Sequence, residues 1–99
     1  MPTDLANVAF LRRSRLVPQS TLHDRLRARL ASARDKAGLS RRELSIRLGR
    51  QPTLVARVER GERTLELGEF VAIFALLGLD PARVLAELLG SEAGGENPE

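Results

Sequence analysis

Gln51, Thr53, Arg57 and Arg60 fall within ten residues of one another, and their side chains suit the edges of base pairs. An arginine fork fits the two acceptors of guanine, a glutamine amide fits adenine, and a threonine methyl can meet the thymine methyl. At about 100° per residue, Thr53, Ala56, Arg57 and Arg60 share one face of a helix, and Val55, Val58 and Glu59 share the other. Arg63, just beyond Gly61, could touch a phosphate or could stand in a solvated turn. The residues needed for other chemistry are scarce. His23 is the only histidine and there is no cysteine, which argues against a metal site. A nucleophilic serine or threonine needs an activating base, and His23 is the only candidate. The carboxylates are scattered, and Gly94-Gly95 is not a phosphate loop. The chain is therefore expected not to be an enzyme, and to use no cofactor and no metal.

Two short helices must hold the polar face in place. The first follows Ser40. Ser40 and Glu43 have the spacing of a capping box, and Leu39 and Leu44 that of a hydrophobic staple. Leu44 and Leu48 lie one turn apart, and Gly49 supplies a left-handed stop. Pro52 suits the first position of the second helix, where its missing N–H costs nothing, and Gly61 ends it. The short gap leaves no room for a lid or ligand loop. This is the geometry of a helix-turn-helix, with residues 52–60 as the helix that would enter the major groove.

The segments L-S-R-R-E-L-S-x-x-L-G and V-x-R-V-E-R-G resemble the Cro and phage-repressor type of helix-turn-helix, the xenobiotic-response-element family. The resemblance spans roughly residues 22–89. It implies a five-helix, all-α repressor-like domain that binds double-stranded DNA and regulates transcription, as a repressor. It implies that Arg34 and Glu59 form a buried structural salt bridge. It places the phosphate-contacting position at Arg41, and the base-reading face on Gln51, Pro52, Thr53, Ala56, Arg57 and Arg60. Arg50 and Arg63 are expected to meet the DNA backbone beside Arg41. The chain departs from the family pattern at several positions. Arg50 replaces an apolar turn residue, Gln51 the usual Ser or Thr cap, and Ser45 a small alanine. Ile46 stands where the family is normally charged.

Ninety-nine residues make one domain, and 42% apolar content suffices for a small aliphatic core. The net charge of +3 conceals an asymmetry. Residues 1–63 carry 15 of the 16 Lys and Arg against six acids, a net +9, while residues 64–99 carry one Arg and seven acids, a net −6. A basic half beside an acidic half suggests a nucleic-acid face and a separate non-DNA face. The lack of cysteine is compatible with the cytoplasm. No apolar run reaches transmembrane length and no secretory leader is evident, so no membrane role is expected.

Residues 1–19 read as an N-terminal extension. Asp4 could cap a short helix there, or Arg12, Arg13 and Arg15 could form a minor-groove arm. Residues 20–90 form the domain. Ser20 or Thr21 caps a first helix over residues 21–37, whose Leu22, Leu26, Leu30 and Ala33 recur at helical spacing, with Arg25, Arg27 and Arg29 on a solvated face. A fourth helix over 66–77 puts Phe70, Ile73, Phe74 and Leu77 in the core, yet Val71, Ala72, Ala75 and Leu76 make its other sides apolar too. A helix apolar on nearly every side calls for cover on nearly every side. Asp80 and Pro81 open a fifth helix over 81–89. Residues 91–99 are expected to be a disordered acidic tail. The apolar C-terminal half suggests a homodimer through Ala72, Ala75, Leu76, Leu85 and Leu89. That half or residues 5–17 could alternatively meet a protein partner. A protein-binding adaptor on the same fold, or the DNA-binding antitoxin of a toxin–antitoxin pair, are the other readings.

Overall fold

The structure is a computed structural model and describes residues 17–90. The expectations for the N-terminal arm and for the acidic tail lie outside these residues. The described residues form five helices and no strand. They are α1 (Gln19–Lys36), α2 (Arg41–Arg47), α3 (Leu54–Glu59), α4 (Leu67–Leu76) and α5 (Pro81–Leu89). Each ends at a glycine with φ between +72° and +82° (Gly38, Gly49, Gly61, Gly78, Gly90). At Gly49 the left-handed residue matters most. It turns the chain between α2 and α3, and a Cβ there would meet no neighbour, so the glycine is required by the backbone rather than by crowding.

The core is one cluster. Leu30, Leu44, Val55, Val58, Ile73, Phe74 and Val84 are fully buried, with at least one contributed by every helix. Phe70 and Phe74 pack as a tilted pair with ring centroids 5.0 Å apart, a favoured aromatic geometry. Asp80 caps α5 by accepting the Ala82 N–H at 3.0 Å, with Pro81 at the first position.

Two details depart from the sequence reading. Neither Ser20 nor Thr21 caps α1, which begins at Gln19 after Pro18. The Pro18 carbonyl already accepts the Leu22 N–H at 2.9 Å, so both hydroxyls lie inside the first turn. Nor are Arg25 and Arg29 a plain solvated face. Arg25 donates from Nη1 to the Leu88 carbonyl at 2.7 Å, and Arg29 from Nε to Glu87 Oε1 at 2.8 Å. The last turn of α5 leaves carbonyls without helical partners, and Arg25 from α1 satisfies one of them. Arg27 pairs with Asp24 within α1. The outer side of α4 is open, at the residues that the sequence reading set outside the core face. Leu67, Val71 and Leu76 are 76%, 45% and 38% exposed, and Ala72 and Ala75 are exposed with them. Among the described residues, no helix is long and apolar enough to cross a membrane.

Candidate nucleic-acid interface

The paired helices α2 and α3 are joined by backbone and side-chain bonds that follow from local sequence. Ser40 Oγ accepts the Glu43 N–H at 3.0 Å, and Glu43 Oε1 accepts the Ser40 N–H at 2.7 Å, closing the capping box. Those bonds hold the Glu43 carboxyl below the usual range. The Arg50 N–H returns to the Ser45 carbonyl at 3.1 Å, and the Leu54 N–H to Gln51 at 3.0 Å. Pro52 and Thr53 thus lie in a turn, and regular helix starts at Leu54, two residues later than Pro52 suggests.

No side chain of its own caps α3. The group that does so comes from α2. Ser45, with no exposed surface, accepts the Val55 N–H at 3.0 Å and donates to the Arg41 carbonyl at 2.8 Å. Thr53 stands at the cap position but its side chain makes no cap bond, and the serine one helix earlier satisfies a first-turn donor of α3 that would otherwise be orphaned. Sequence reading treats Ser45 as a small-residue variant, because the contact crosses between helices.

With Val55 and Val58 fixed in the core, the other side of α3 faces outward. Gln51, Pro52, Thr53, Arg57 and Arg60 are exposed and Ala56 is half-buried. Arg57 makes no ion pair among the described residues, whereas Arg60 reaches Glu62 Oε2 at 3.0 Å, an exposed pair. That contact holds the Glu62 carboxyl below its ordinary range. A shallow cleft of about 120 Å³ opens between Arg50, Gln51, Thr53, Leu54, Arg57 and Arg63.

Two buried carboxylates organise the arginines around this face. Glu59, its side chain 5% exposed, receives Arg34 Nε at 2.7 Å and Nη2 at 3.1 Å, and Arg41 Nε at 2.9 Å. Arg34 also donates to the Leu39 carbonyl at 3.0 Å, so it joins α1 to both motif helices. Burial pushes the Glu59 carboxyl up, but hydrogen bonds from Arg34 and Arg41 outweigh it and hold it below the usual range. Glu69, on α4, is 4% exposed and receives Arg63 Nη1 at 2.8 Å, with Arg50 Nη1 at 2.9 Å. Hydrogen bonds from Arg63, opposed by burial and aided by the Glu66 N–H, lower its pKa to about 2. Arg50 and Arg63 are thus anchored rather than loosely solvated. Sequence reading missed Glu69. Its available signal was a single acid beside the core positions Phe70 and Ile73 of an otherwise apolar helix.

Residues 25–89 fit the pattern of a family described as a helix-turn-helix domain. No curated protein and no solved structure matches the chain.

Proposed function

The chain belongs to the helix-turn-helix domain family, a DNA-binding type, and on that premise we propose that it is a sequence-specific, non-enzymatic repressor of transcription that acts in the cytoplasm. The observation that carries the reading is the outward face of α3. There Arg57, without an ion-pair partner among the described residues, stands between Thr53 and Arg60 on a helix whose other side is locked in the core. Thr53 and Arg57 read base edges in the major groove, with Gln51, Pro52, Ala56 and Arg60 completing the face. Arg41, Arg50 and Arg63 meet the backbone.

The protein acts as a homodimer on a two-fold operator. One recognition helix covers too few base pairs to find a site in a genome, and pairing two doubles the contacts, with half-sites about 34 Å apart or a multiple of that. The exposed outer side of α4 supports this pairing. Leu76 and the small Ala72 and Ala75 lie there, and Leu85 on α5 is 41% exposed, with Leu89 half-buried beside it. The same half of the chain lacks the positive charge of the DNA face, so pairing there leaves the arginines available.

Salt dependence tests the reading. Arg41, Arg50 and Arg63 from two protomers give six phosphate contacts. At about 0.9 counterion released per contact, affinity for duplex DNA should fall about 10³-fold between 50 and 200 mM salt. Fluorescence anisotropy of a duplex enriched from a random pool measures this. A flat response would favour a protein-binding adaptor, whose apolar contacts need not weaken with salt.

A further inference from the structure

Glu69 is a nearly buried charge approached from two separate segments. Arg50 comes from the turn before α3 and Arg63 from the loop after it. Arg50 Nη1 lies 2.9 Å from Oε2. Arg63 grips the carboxylate with both arms, Nη1 to Oε1 at 2.8 Å and Nη2 to Oε2 at 3.0 Å. The Glu66 N–H donates to Oε1 at 2.9 Å, so the backbone of α4 fixes the carboxylate in its turn. Both guanidiniums keep N–H groups beyond those given to Glu69, since each has five. The Arg50 side chain remains 47% exposed. Both arginines also line the cleft that contains Gln51, Thr53 and Arg57.

We propose that Glu69 is a positioning residue for DNA binding, holding Arg50 and Arg63 as a preformed pair of phosphate-contacting arginines beside the recognition helix. Two guanidiniums converging on one point repel each other, and the shared carboxylate reduces the trio to a single positive charge. Ordering long arginine side chains costs entropy, and here that cost is met in folding rather than at the moment of binding. A fixed pair can contact phosphates only where the backbone passes at the right place, so it adds register as well as attraction. Glu59 differs, because one of its two arginines, Arg34, belongs to the interior. Glu69 also sits on the helix whose outer side carries Val71 and Ala72, so it links the DNA face directly to the surface assigned to dimer contact. The proposal rests on the DNA-binding reading above.

The test uses the full chain and two duplexes, one enriched from a random pool by the wild type and one scrambled to the same length and composition. Glu69→Gln keeps the shape and an acceptor for the Glu66 N–H, but releases the arginines. It should lower the ratio of selected to scrambled affinity about tenfold, and should leave that ratio unchanged when introduced into Arg50→Ala/Arg63→Ala. An equal loss in both backgrounds would overturn the proposal, because a purely structural role acts whether or not the arginines are present. If circular dichroism shows that Glu69→Gln does not fold, the salt slope of Arg50→Ala/Arg63→Ala decides. It should flatten by about two units per protomer, and an unchanged slope overturns the proposal. Wild type that shows no salt-dependent duplex binding refutes the DNA reading and this proposal together. Wild type with a steep slope and variants that match it refute the positioning role alone.

Discussion

Replacing Arg34 and Glu59 separately should produce large and unequal losses of stability. Both side chains are nearly buried, and they share two bonds of 2.7 and 3.1 Å. An exposed pair contributes about 0–1 kcal/mol, whereas removing one partner of a buried pair costs about 3–5 kcal/mol because the other charge is stranded. The two residues differ in what remains. Arg34→Ala leaves Glu59 with Arg41 at 2.9 Å, but the Arg41 side chain is 53% exposed and solvent screens the pair. Glu59→Ala leaves Arg34 with the Leu39 carbonyl and with Asp35 at 3.5 Å, an acid that is itself mostly exposed. It also releases Arg41, so it breaks contacts to two helices. Glu59→Ala should therefore cost the upper end of the range and Arg34→Ala the lower. In a domain of this size each kcal/mol moves Tm by about 4–8 °C, so the smaller loss should already lower Tm by about 12 °C or more. Thermal melts followed by circular dichroism measure both, and the double variant gives the coupling. Losses under about 1 kcal/mol in both single variants would refute the reasoning. So would loss of DNA binding by Arg34→Ala with an unchanged melt.

Three further outcomes follow from other contacts. Ser45→Ala should cost about 1–3 kcal/mol in a denaturant titration, since it leaves the buried Val55 N–H without an acceptor; a neutral result would mean that the hydroxyl is not capping α3. Glu59 and Glu69 have carboxyl pKa values depressed in the folded state, so their contribution is present above the ordinary value of 4.5 and is lost as pH falls, for Glu69 down to about 2. Melts between pH 5 and pH 2 should show that decline, and Glu69→Gln should make it shallower. Leu76→Glu should shift wild-type dimer to monomer in sedimentation equilibrium, and a wild type already monomeric at tens of micromolar would remove the α4 interface.

Much of the fold was legible because its signals are local. The Gly49 and Gly61 stops, the Ser40–Glu43 box and the Asp80–Pro81 start depend on residues within one turn of each other, and short-range geometry decides them. The core faces were legible for the same reason, from helical spacing alone. What escaped were contacts between segments distant in sequence. Arg25 looks solvated until α5 places the Leu88 carbonyl beside it. Ser45 looks like a variant of alanine until α3 offers the Val55 N–H. Glu69 looks like a surface acid until two loops bring Arg50 and Arg63 to it. The outward face of α3 was legible from periodicity. The division of arginines into Arg57, without an ion pair among the described residues, and the anchored Arg41, Arg50 and Arg63 was not, because each anchoring carboxylate, Glu59 or Glu69, sits on a different helix or loop from the arginine that it holds.

The central claim is that α3 reads base edges while the anchored arginines grip the backbone. It is tested most directly by comparing Arg57→Ala with Arg41→Ala on a panel of single-base variants of the enriched duplex. Arg57→Ala should lose about 1–3 kcal/mol on the best sequence and flatten discrimination at one base pair per half-site. Arg41→Ala should weaken every duplex alike and reduce the salt slope by about one unit per protomer. Two variants with the same profile across the panel would contradict the account.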